Sequence, residues 1–320
     1  MRVHGLIIDP QFDFCWPGIQ SRGINPNNPS WAGISNILKQ ALGAHYYLLE
    51  KPGNLYVPGA DEDMNRLANM IKRIGNKIDH LHVTLDSHHK VDQAHPIWWK
   101  DKSGNHPEPF TILSTNDDKA VKSIPDKNGD LQPTTEEYQT NIPSMMHVGG
   151  PTGKGSFGYL EALNKNGRYP HVVWPEHCLI GTLGHIVWPN LMEAFLEWEN
   201  KFAHVNYVTK GINIRTEHYS AVHAEAPDSH DPLTQTNKKL IEILEEADLI
   251  FLAGEARSHC LANTVMDIAK HFSDPKYIKK LVLLTDATSD VPGFESFGEK
   301  FIEKMVAKGM QLSTTETFLQ

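Results

Sequence analysis

Apolar residues run nearly without interruption through VHGLIID (3–9), DHLHVTLD (79–86), HVNYVTK (204–210), ADLIFLAG (247–254) and KKLVLLTDA (279–287). Strands buried on both faces read this way, whereas half-solvated strands alternate polar and apolar positions. Helix-like stretches lie between and after them: 61–75, 190–202, 235–247, 260–272 and 296–309. This alternation predicts an α/β fold with a parallel, doubly wound sheet. Two segments interrupt the rhythm, about 19–52 with its PNNP and about 100–170, rich in Pro, Gly, Asn and Asp. Neither has a strand-helix pattern long enough to enclose a core, so both are expected as insertions on one domain spanning 1–320.

The chain has 320 residues, 40% of them hydrophobic, which suffices for a substantial core. A formal net charge of −9 without a basic stripe excludes a protein that lives on phosphate backbones, so nucleic acid is not an expected partner. No apolar run approaches the roughly 20 residues that span a bilayer, and the amino terminus enters a strand at once. The expectation is a cytoplasmic protein with no membrane partner. Three cysteines, Cys15, Cys178 and Cys260, lack CxxC spacing and fit neither a disulfide framework nor a zinc knuckle.

Chemistry gathers at predicted strand ends. FLAGEARSHCLANTVMDIAK puts Cys260 after a strand and turn at the first position of a predicted helix. Free N–H groups there favour a thiolate and could hold an oxyanion. Asp9 ends the first strand and Lys210 the third, and a lysine and a carboxylate beside a thiol can stabilise its anion and relay its proton. Cys15 and Cys178 read as packing residues; adjacent His177 and Cys178 side chains do not face each other. Asp86 and His88 in LDSHH share one face of an extended segment and suit zinc, iron or manganese. A third ligand could be His89, His95 or His177, the last within WPEHCLIGTLG.

At this point the residues resemble the nicotinamidase branch of the isochorismatase-like cysteine hydrolases. The motifs are LIIDPQFDFC, LYVPGADEDMNRLANMI, TLDSHH, WPEHCLIGTLG, VTKGINIRTEHYSA, FLAGEARSHCLANTVMDIA and LVLLTDAT, in the family's order. The resemblance implies a three-layer α/β/α fold around a mostly parallel, doubly wound six-stranded sheet, a triad of Asp9, Lys210 and Cys260, an oxyanion hole of the Ala256 and Cys260 amides, and a cis peptide between Glu255 and Ala256. It further implies one divalent metal, zinc first, held by Asp86, His88 and His177. His95, one step beyond the usual spacing where Ala94 stands, is a further candidate. Phe14, Trp174 and Tyr219 match positions that line a pocket for a flat aromatic ring. The implied activity is hydrolysis of nicotinamide to nicotinic acid and ammonia through a thioester, in pyridine nucleotide salvage. Alternatives are an amidase for another aromatic or acyl amide and a non-catalytic relative; homo-oligomer contact through an insertion is also open. The isochorismatase branch lacks the metal set and usually the cysteine. Departures from the pattern are Phe12 in place of asparagine and GEARSHC in place of a GLATDYC-like run; both leave the triad intact and bear on the substrate.

Overall fold

The structure is a computed structural model that describes residues 1–19, 51–116, 119–127, 130–142, 155–166 and 169–320. The insertion expected at 19–52 lies, but for its ends, outside the described residues. In chain order the main elements are β1 (Val3–Ile8), α1 (Ala60–Ile74), β2 (His80–Asp86), α3 (Pro189–Glu199), β8 (Asn206–Lys210), α4 (Lys238–Glu245), β9 (Leu249–Gly254), α5 (Ala262–His271), β10 (Leu281–Leu284), α6 (Glu295–Ala307) and β11 (Gln311–Ser313). The second insertion supplies β3 (Trp99–Lys100), β4 (Ile112–Asn116), β5 (Lys119–Pro125), β6 (Leu131–Thr140), α2 (Gly155–Asn166) and β7 (His171–Val172).

The six-stranded sheet has the order β11-β10-β9-β1-β2-β8, and every pairing in it is parallel. All six β1 residues are buried, as the unbroken apolar run requires. Parallel neighbours need crossovers, and right-handed ones put the helices of the two halves on opposite faces. Helices α1 and α3 pack on each other, as do α5 and α6. In α1, Ala60, Met64, Leu67, Ala68, Ile71 and Ile74 form the buried stripe. Its first turn carries Asp61, Glu62 and Asp63 and its last turn Lys72 and Arg73, matching the helix dipole. From β1 the chain winds outward through β2 to β8, then returns to the other side of β1 at β9. The reversal between β1 and β9 is a topological switch point, where the carboxyl ends of the strands leave a crevice.

The element boundaries differ from the expectation at three places. The run 279–287 yields only Leu281–Leu284 as strand, because Pro275–Lys280 closes into a 3-10 turn and Ala287 N–H turns back to Leu284 O at 3.1 Å. The sixth strand, Gln311–Ser313, is three residues at the sheet edge and carries no long apolar run. The insertion also does more than decorate the domain. Its antiparallel sheet, order β3-β6-β5-β4-β7, and α2 enclose a second apolar cluster that includes Trp98, Trp99, Leu113, Tyr159 and Leu163. That correction has a physical cause: the cluster is assembled from residues far apart in sequence, so no local window displays it.

Candidate active site

Asp9 follows β1, Asp86 ends β2, Lys210 ends β8 and Cys260 follows β9, so the switch point gathers all four. Lys210 is the hub: its Nζ lies 2.9 Å from Asp9 Oδ2, 2.9 Å from Asp86 Oδ1 and 3.6 Å from Cys260 Sγ. The ammonium is buried, and although burial opposes its charge, the Asp86 and Asp9 carboxylates hold its pKa well above the usual lysine range. Asp9 is fully buried at φ +43°, a conformation that costs energy outside glycine. Thr84 holds it there: the hydroxyl accepts from Asp9 N–H at 3.0 Å and donates to Asp9 Oδ1 at 2.6 Å. Burial raises the Asp9 pKa, with Lys210 opposing. Burial likewise pushes the Cys260 thiol up; Lys210 pulls it down while the Asp9 and Asp86 carboxylates add to the rise.

Cys260 does not occupy the first position of α5. It lies in a five-residue π-helical turn, Arg257–Leu261, in which Leu261 N–H reaches Ala256 O at 3.2 Å. Such turns are uncommon and concentrate at functional positions. The Glu255–Ala256 peptide is cis. Gly254 precedes it at φ +108°, and a Cβ there would stand 2.0 Å from Ile8 O, so only glycine permits β1 and β9 to approach.

Asp86, His88 and His177 are buried and each offers a ligand atom within 4.8 Å of the others. Their second contacts set the tautomers. A carbonyl only accepts, so His177 Nδ1 donates to Pro175 O at 2.8 Å and Nε2 keeps its lone pair, 3.3 Å from Asp86 Oδ2. His88 Nδ1 faces Asp92 Oδ2 at 3.1 Å, and His88 Nε2, 3.2 Å from Asp86 Oδ2, has no hydrogen-bond partner among the described residues. With both imidazoles neutral, two ring lone pairs and a carboxylate oxygen lie within 4.8 Å of one another, a donor set that suits a divalent cation, and the paired second contacts are those that orient metal ligands. The same pull shows in titration: burial opposes an imidazolium at His88, yet Asp86 and Asp92 prevail and hold its pKa well above the ordinary histidine range. His95 adjoins this group, its ring 5.1 Å from His88 and 5.5 Å from His177; its Nε2 is buried without a hydrogen-bond partner among the described residues, and it lies outside the three residues whose ligand atoms are within 4.8 Å of one another. His89 is exposed.

The cavity above Cys260 is lined by Phe14, Asp86, Trp174, His177, Tyr219 and Ala256, among others. Trp174 Nε1–H donates to Tyr219 Oη at 3.0 Å, and the Phe14 ring lies 5.7 Å from that of His177. All three expected pocket aromatics thus border the same space as the thiol. Cys15 and Cys178 are fully buried, and unlike Cys260 neither lines this cavity.

Several residues at the site escaped the sequence reading. Gln11 clamps the Asp86 backbone, donating to its carbonyl at 2.8 Å and accepting from its N–H at 2.7 Å. Asp13 accepts from Cys178 N–H at 2.7 Å, which ties down the loop that carries His177. Glu217 and His259 also line the cavity, each with a buried polar atom, Oε2 and Nε2, that has no partner among the described residues. Gln11 and Asp13 stand within LIIDPQFDF, where two buried polar residues directly after a buried strand were the available signal.

A buried Cys-Lys-Asp cluster beside an Asp-His-His group, at the switch point of a parallel sheet, is a hydrolase-like site with a thiol and a place for a metal. Solved nicotinamidases share the fold. The yeast nicotinamidase matches with a TM-score of 0.53 at 17% identity, over 97% of this chain and 98% of that one. The nicotinamidase/pyrazinamidase of Acinetobacter baumanii matches with a TM-score of 0.51 at 17% identity, over 99% of this chain and 98% of its own. At such identities the likeness is one of fold. No family model and no curated protein matches the sequence.

Proposed function

We propose that the protein is a metal-assisted cysteine amidase and that nicotinamide is its substrate, converted to nicotinic acid and ammonia in pyridine nucleotide salvage. The observation that carries this reading is the position of Lys210 Nζ, 2.9 Å from Asp9 and 3.6 Å from Cys260 Sγ, directly beside the Asp-His-His group. Similarity of fold to proteins described as nicotinamidases supports it.

In this reading Cys260 attacks the amide carbon as Asp9 takes the thiol proton; its raised pKa suits a group that must accept a proton and return it. Lys210 stays charged throughout and offsets the negative charge that collects on sulfur and carboxylate. The Ala256 and Cys260 amides hold the developing oxyanion. Asp9 gives its proton to the departing nitrogen, the C–N bond breaks and a Cys260 thioester remains. Asp9 then takes a proton from water, whose oxygen adds to the thioester carbon; the C–S bond breaks, nicotinic acid leaves, and Asp9 returns its proton to the Cys260 sulfur. A zinc, iron or manganese ion held by Asp86, His88 and His177 would supply a Lewis-acidic seat for the ring nitrogen and positive charge beside the thiol. Phe14, Trp174 and Tyr219 orient the flat ring, which makes the attack effectively unimolecular. A reactive thiol with no disulfide partner suits the reducing cytoplasm, to which we assign the activity.

The test is ammonia release from nicotinamide by metal-analysed protein. Wild type should release it, chelator should suppress it until metal is restored, and Cys260→Ala should abolish it. Absence of ammonia from fully metallated wild type would refute nicotinamide as substrate. Retained activity in Cys260→Ala would refute the nucleophile.

A further inference from the structure

The cavity has two chemically distinct ends. Asp86 and His177, with Phe14 against the latter, form one. At the other, His259 is enclosed by aromatic rings, with centroids 4.8 Å away for Phe294, 5.3 Å for Tyr169, 5.4 Å for Trp174 and 5.8 Å for Tyr219. His259 is 3% exposed, and among the described residues its Nε2 has no hydrogen-bond partner. An N–H left without an acceptor in such surroundings is costly, so an occupant that supplies one gains a site-specific preference.

The neighbouring hydrogen bonds settle which nitrogen carries the proton. Val291 N–H donates to Ser258 Oγ at 3.1 Å, and Ser258 Oγ lies 2.9 Å from His259 Nδ1. The arrangement that leaves no hydroxyl proton unspent has Ser258 donate to Nδ1, so Nε2 bears the imidazole hydrogen. Burial lowers the His259 pKa to about 4, which keeps the ring neutral near pH 7. The donor is also firmly held. Arg257 pairs with Asp290, and Arg257 N–H donates to Ser289 O at 2.8 Å, joining the Cys260 turn to the segment that carries Val291. Nothing in the triad or the Asp-His-His group uses this imidazole.

We propose that His259 is a specificity-determining residue that donates Nε2–H to the bound amide, so the favoured substrates are flat aromatic amides with a second hydrogen-bond acceptor away from the Asp86–His177 end. The proposal rests on the amidase reading and narrows its substrate class. Replacing one ring CH by N adds such an acceptor with almost no change of shape. Nicotinamide, pyrazinamide, pyrimidine-5-carboxamide and pyridazine-4-carboxamide therefore form an isosteric panel that moves the second acceptor around the ring.

The experiment measures kcat and KM for the panel with wild type, His259→Phe and His259→Gln. It also measures Kd by calorimetry in a Cys260→Ala background with and without His259→Phe. At least one diaza amide should exceed nicotinamide about tenfold in kcat/KM, with the gain in KM. His259→Phe should bring that ratio to about one, and His259→Gln, which keeps an N–H donor, should recover part of it. The same preference should appear in Kd and vanish with His259→Phe. Should His259→Phe fail to fold, His259→Leu replaces it. A ratio unchanged by His259→Phe, in protein with normal metal content and normal Cys260 alkylation, overturns the proposal and leaves His259 a packing residue. If wild type hydrolyses no member, the amidase reading fails and the Kd values decide: a preference lost with His259→Phe supports the proposal, and equal ratios or no binding overturn it.

Discussion

Lys210 holds together charges that would otherwise repel. Asp9 and Asp86 both face its ammonium at 2.9 Å, and all three are at most 3% exposed. Lys210→Met would leave two buried carboxylates without a counter-ion, and removing one partner of a buried pair costs about 3–5 kcal/mol. Urea unfolding should record that loss together with loss of ammonia release. An unchanged midpoint would mean the ammonium contributes little to the folded state. Asp92 acts one step further out. Its carboxylate faces His88 Nδ1 at 3.1 Å, and such outer partners are worth about 10–100-fold in metal affinity. Asp92→Ala should weaken zinc binding by that factor in a chelator competition while Lys210 and Cys260 keep their positions; undiminished affinity would show that His88 needs no orienting partner.

Among the elements, the β1 and β9 pair sets the geometry. Their register, from Val3↔Leu249 to Ile8↔Gly254, brings Asp9 and the Cys260 turn to one sheet edge. Gly254→Ala combines a Cβ 2.0 Å from Ile8 O with a left-handed φ of +108°. It should lower stability by more than about 1 kcal/mol and slow Cys260 alkylation through displacement of the turn. A variant with wild-type unfolding and alkylation would contradict the close approach. Periodicity found β1, β2 and β9 because strands buried on both faces leave an unbroken apolar record, whereas β8 lies at the sheet edge with alternating half-buried and exposed residues up to Lys210 and is not the fully buried strand its run suggests. Periodicity missed β11, whose three edge residues are largely solvated, and the π-helical turn, whose five residues are too few to show a period distinct from that of α5.

At the scale of the whole molecule, acid should be a specific threat. Burial lowers the pKa of His4 to about 4, of His82 to about 3 and of His171 to about 4. Lowered folded-state values mean that the unfolded chain binds more protons once the pH falls below about 6.5, so stability contributed by these neutral rings is complete above that value. It declines as pH drops from about 6.5 toward 4. Thermal unfolding between pH 7.5 and 4.5 should show this fall, and His82→Gln should flatten it. A pH-independent midpoint over that window would contradict the neutral buried rings. The second core beneath the insertion belongs to the same scale, since Trp98, Leu113 and Tyr159 meet there only after the strands between them have paired.

The order of strands and helices, the parallel class of the sheet and the identities of Asp9, Asp86, His88, His177, Lys210 and Cys260 as the residues to watch were all legible in the chain. Asp9, Asp86 and Lys210 sit at strand ends, where a polar residue closing an apolar run leaves a local trace, whereas His177 was singled out by its motif and Cys260 by the strand-turn-helix pattern around it. Tertiary structure alone decided that Lys210 bridges both carboxylates and the thiol, that Asp86, His88 and His177 lie within 4.8 Å of one another with His95 adjoining them, and that His259 is enclosed by aromatic rings with Nε2 unpartnered among the described residues. Those are distances between side chains from strands far apart in sequence, and only the register of a folded sheet determines them.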